Sequence, residues 1–150
     1  NNIFNHVLKS CGNFLADEDI ITKLEITDEN EFYIFQELLG VYLFEAKYYI
    51  RETDKTQSEQ IAYYLNHNLS KYALNQSYNE ESIQKLLNFM NARYEQYTEE
   101  LKKPDANTKN LGILLIYFIK GTYVEDEDLI FIVSAYISAF KILLKQAYNN

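Results

Sequence analysis

Residues 108–120 read TKNLGILLIYFIK and are followed by Gly121. Wound at 100° per residue, this stretch is apolar on nearly every side, from Leu111 round to Ile119. A helix with no polar face must be surrounded by protein, so the segment is expected at the centre of a helical domain. Gly121 is placed to end it in the left-handed conformation that glycine adopts without penalty.

Reading outward, chain-breakers are scarce. Four glycines and one proline in 150 residues leave few of the tight turns that strand architectures depend on. The expected fold is all-α: a compact single-domain bundle of about six helices over residues 1–150, with the 108–120 helix central. The first covers about 3–16, with Phe4, Val7, Cys11 and Phe14 on one face. A short ambiguous element lies around 20–26. The second helix opens with a cap-like Asp28 and Glu31 and runs to about 52. A capping box at Thr56 and Glu59 starts the third, to about 75. Asn79 starts the fourth, which Pro104 closes. After the 108–120 helix, Glu125, Asp126, Glu127 and Asp128 open the last, their charges suited to a positive helix start. The apolar runs at 111–119 and 129–140 are shorter than the ~20 residues of a bilayer span.

Net charge is −8, and half of the 22 acidic residues lie in the first 56 positions, with only five of the 14 basic ones. That balance argues against nucleic acid or an anionic membrane as partner, because phosphate binding needs a basic surface. It suits a basic protein partner. The single cysteine, Cys11, cannot form an internal disulfide, and no targeting segment is retained, so the cytoplasm is the expected compartment. The chain does not open on Met, and an excised leader would leave no trace in it.

The inventory for chemistry is thin. Two histidines and one cysteine cannot build a zinc site, and Ile3 and Tyr64 stand where a di-iron bundle needs glutamate before His6 and His67. There is no phosphate-binding glycine loop, dinucleotide fingerprint or nucleophile elbow. No catalytic residue, metal or cofactor is expected.

Two groups of residues stand out instead. Glu45 projects into the arc of Ile34, Leu38, Val41, Tyr42, Tyr48 and Tyr49. A carboxylate buried there needs a partner or a proton. Arg93, between Leu86 and Phe89 in projection, and Asn68, beside Ile61, Leu65 and Tyr72, are the expected members of an interior polar network with Glu45. The second group is superficial. Asp17, Glu18 and Asp19, with Asp28, Glu29 and Glu31, form an acidic surface. Tyr33 and Phe44 flank Gly40 on the side of the second helix opposite its main apolar arc, with Glu37, Lys47 and Arg51. On the last helix, Phe131, Ser134, Ala135, Ser138 and Ile142 form a stripe for another helix of the domain or for a second copy.

The function expected from these features is that of a non-enzymatic helical protein-interaction protein. Small bacterial or phage regulators, inhibitors and immunity-type binders act this way, using an acidic, Tyr-rich surface to steer a basic partner. The alternative is a small-molecule-binding bundle with a Tyr-lined pocket around Glu45 and Arg93.

Overall fold

The computed structural model describes residues 2–149, Asn2 by its backbone alone. Seven helices follow one another: α1 Asn2–Leu15, α2 Glu18–Lys23, α3 Glu31–Thr53, α4 Ser58–Asn75, α5 Glu80–Leu101, α6 Thr108–Lys120 and α7 Glu127–Asn149. The ambiguous 20–26 stretch is thus the short α2. Among the described residues there is no strand, and no helix is long and apolar enough to cross a membrane.

Five helices close a ring around the sixth. α1 touches α4, α4 touches α5, α5 touches α6, α6 touches α7, and α7 returns to α1; α3 touches all five. Residues 37–46 of α3 are therefore buried without interruption, from Glu37 to Ala46. The 108–120 helix is a core element with Leu111, Gly112, Leu115 and Ile116 buried, but its place is in the ring. Ring position explains why its Ile113, Tyr117, Phe118 and Ile119 are half-buried instead of enclosed. The axis is α3, which the wider spread of polar residues at its two ends had disguised.

Several helix ends follow the residues that signal them. Asn79 accepts from the Ser82 N–H at 2.8 Å, Asn107 and Asn110 form a reciprocal capping box, and Asp126 accepts from the Leu129 N–H at 3.1 Å. Gly121 closes α6 at φ 77°. Two expected caps do not form. The Thr56 hydroxyl donates to Asp54 Oδ1 at 2.7 Å, which spends it on the preceding turn, and α4 begins at Ser58 without a side-chain cap. Asp28 and Glu31 stay exposed. Asn30 ties the α2–α3 corner instead, accepting from the Thr27 N–H and donating to the Glu25 carbonyl. With glycine so scarce, Glu25, Ser77 and Asp105 take left-handed backbone at φ 55°, 69° and 59°. Ser77 closes α4 in a Schellman turn, its N–H bonded to the Leu74 carbonyl and that of Tyr78 to the Ala73 carbonyl.

Candidate functional site

α3 presents two buried carboxylates to opposite neighbours, and the structure corrects the expected network there. Arg93 of α5 pairs with Glu37, not with Glu45: Nε to Oε1 at 2.8 Å and Nη2 to Oε2 at 2.7 Å, a bidentate fork. Its third nitrogen donates to Gln96 Oε1 at 2.8 Å. The guanidinium carbon lies 3.7 Å from the ring centre of Phe118 and 4.6 Å from that of Phe89, so the cation is held between two aromatic faces. Tyr97 is buried beside this pair with no hydrogen-bond partner for its hydroxyl.

Glu45 is also buried, but its neighbour is Lys141 of α7, at 4.0 Å. Burial drives its carboxyl up to about 7, and Lys141 offsets only part of that. Asn68 joins neither carboxylate, and its Nδ2 is buried without a partner. The three residues expected to meet are thus in three places. The reason is rotational. Residues 37–46 are buried on all sides, so the apolar arc of α3 carried no signal for which carboxylate faces α5. Phe44 likewise moves from the expected surface to the interior, with its ring 5.2 Å from Tyr48, 5.4 Å from Tyr94 and 5.3 Å from Tyr97. Gly40 meets the stem of Arg93, not a foreign backbone.

The acidic surface divides in the same way between structure and solvent. Asp17 is a fastener: Oδ1 caps α2 through the Ile20 N–H, and Oδ2 accepts from the Tyr136 hydroxyl at 2.6 Å. Those bonds hold its carboxyl below the ordinary range, the one from Tyr136 most strongly. Glu18 and Asp19 are exposed in the first turn of α2. Asp28, Glu29 and Glu31 are exposed, and none is in an ion pair among the described residues. Tyr33 donates its hydroxyl to the Phe118 carbonyl at 2.6 Å, locking the start of α3 to the end of α6.

Between these residues lies one that sequence reasoning passed over. Phe32 is 56% exposed and stands between three adjoining hollows. One of about 90 Å³ runs in toward Leu39, Ala73 and Leu86. One of about 610 Å³ extends past Tyr78 to Lys85 and Phe89. The third, about 290 Å³, is walled by Phe35 and Tyr72 and edged by Asp28 and Glu31. The available signal was an aromatic residue directly following the acidic 28–31 stretch, in the exposed first turn of a helix whose middle is buried. None of these hollows is lined by Glu45, Asn68 or Arg93.

A wider groove of about 880 Å³ separates α5 from α6, with Glu95, Glu99 and Glu100 opposite Tyr117, Phe118 and Tyr123. Its lysines are neutralised within it: Lys102 pairs with Glu99 and Lys103 with Glu100, both at 2.9 Å. Tyr117 and Tyr123 stack on each other at 4.4 Å. The stripe on α7 is split. A Cβ on Gly112 of α6 would strike Ser134, so Ser134 serves the α6–α7 contact, while Phe131 and Ile142 remain 74% and 58% exposed. Comparison with protein-family models, with curated proteins and with solved structures gave no match, and the functional reading rests on this geometry.

Proposed function

We propose that the protein is a non-enzymatic binding module that receives a segment of another protein at Phe32, one apolar side chain entering the hollows and a basic side chain meeting Asp28 and Glu31. The observation that carries this reading is the pairing of a large exposed ring, set among concavities, with carboxylates that have no cation of their own. Exposed aromatic anchors with adjoining pockets are where interface energy concentrates. Unneutralised charge at the rim speeds the approach of an oppositely charged partner and selects against an acidic one. Glu18, Asp19 and Glu29 extend the same field.

The test is selection of peptides from a random displayed library on the immobilised protein, followed by binding to variants. Selected peptides are expected to combine Lys or Arg with one large apolar residue and to lose at least about tenfold in affinity on Phe32→Ala. The double change Asp28→Asn with Glu31→Gln is expected to slow association and flatten the dependence on salt. Peptides without basic enrichment, or binding indifferent to both variants, would refute the proposal.

A further inference from the structure

A different cleft points to a ligand of opposite sign. In a chain of net charge −8, the hollow of about 280 Å³ where α3, α4 and α5 meet gathers two cations, Lys47 and Arg51, one turn apart on α3. Asn66 and Ser58 from α4 and Asn91 and Tyr94 from α5 complete its polar lining, and Glu59 is its only acidic residue. Lys47 is half-buried and donates to Asn66 Oδ1 at 2.7 Å, but it is in no ion pair among the described residues. Burial without a counter-charge brings its amine down to about 8. Arg51 lies over the rings of Tyr48 and Tyr94, and its nearest carboxylate is the exposed Glu52 at 3.5 Å.

We infer that this cleft binds a small phosphate-bearing anion, with Lys47 as the half-buried point charge and Arg51 as the fork at the mouth. The donor set fits a tetrahedral anion better than a planar one. Asn66 spends its carbonyl on Lys47 and so offers its NH₂ as a donor. With Asn91, neutral amide donors from two further helices flank the two charges, and a phosphate accepts from more directions than a carboxylate; the Ser58 hydroxyl is spent on the Lys55 carbonyl at 3.0 Å. A dianion also supplies what Lys47 lacks. The cleft shares no lining residue with the hollows around Phe32, so the two proposals stand or fall separately.

The test is calorimetric titration of the intact protein at low salt with orthophosphate, pyrophosphate and acetate. Saturable binding of pyrophosphate with Kd below about 1 mM is expected, weaker binding of orthophosphate, and at least about tenfold weaker binding of acetate. Lys47→Met, which keeps the apolar stem, is expected to weaken pyrophosphate binding at least about tenfold. Arg51→Gln, at an exposed position that tolerates change, is expected to act in the same direction and covers the case in which the Lys47 variant misfolds. The amine resonance of Lys47 is expected to titrate at higher pH with pyrophosphate bound. No saturable binding, equal binding of acetate, or undiminished binding by both variants would overturn the inference.

Discussion

Glu37 and Glu45 lie two turns apart on α3, and both are buried, yet their surroundings differ in kind. Glu37 receives two nitrogens of Arg93 at hydrogen-bonding distance, and two aromatic faces keep that cation in place. Glu45 has an ammonium at 4.0 Å, whose own side chain is 39% exposed. The first carboxylate belongs to a closed unit that ties α3 to α5 and α6. The second is one for which burial outweighs the single charge nearby, and its protonation is coupled to folding. Burial alone therefore does not say what a charged side chain contributes; the number and geometry of its partners decide.

Removing a partner should break the first unit most severely. Arg93→Ala leaves Glu37 buried without compensation and is expected to cost about 3–5 kcal/mol in urea unfolding. Replacing both residues by apolar ones of similar volume, Glu37→Leu with Arg93→Met, should recover most of that loss, because no orphaned charge remains. If the single and double variants were equally unstable, pairing would not be what distinguishes Glu37.

Glu45 should show its difference through pH. The folded chain holds the Glu45 proton up to about 7, whereas the unfolded chain releases it near 4.5. Stability is thus expected to fall as pH rises through that window and to level off above it, by about 3 kcal/mol in all. Glu45→Gln should remove this component of the slope, leaving stability near pH 4 little changed and raising it above pH 7. The check is a set of urea midpoints for both proteins across pH 4–8.

Smaller effects contrast the α6–α7 contact with the α3–α5 contact. A methyl on Gly112 would lie 2.3 Å from Ser134 Oγ and 3.3 Å from Ser134 Cβ and N. Gly112→Ala should force α6 and α7 apart and cost about 1–3 kcal/mol. Ser134→Gly in the same chain should restore part of it. A methyl on Gly40, by contrast, would meet Arg93 Cγ at 3.5 Å and Cβ at 3.6 Å, ordinary contact distances. Gly40→Ala is expected to stabilise by about 0.5–1 kcal/mol, because alanine has less backbone freedom to lose in a helix. Thermal unfolding of the three variants tests both statements.

How much of this was legible beforehand depended on whether a signal was local. The cap at Asn79, the stop at Gly121 and the stripes of α1, α5 and α7 follow from residues within one or two turns of each other. The start of α4 was misread because the Thr56 hydroxyl had a competing acceptor in Asp54, which also receives the Tyr148 hydroxyl from 94 residues away. Asp17, read as surface charge, was claimed by Tyr136 across the fold. Phe44 and Gly40 were assigned to solvent because a period-3.6 pattern has an inside and an outside only when one face is wet. The phosphate cleft was illegible for a related reason: its donors come from three helices.

The order of residues by itself determined that this chain is helical, roughly where its helices begin and end, and which stripes are apolar. Those properties arise from spacing, caps and backbone preference over a few positions. Only the assembled bundle decided that α3 is the axis, that Arg93 takes Glu37 while Glu45 meets Lys141, and that Phe32 is left between hollows. A helix enclosed by five others has no outward face in its sequence, so its rotation is chosen by the volumes and charges of neighbours that are distant along the chain.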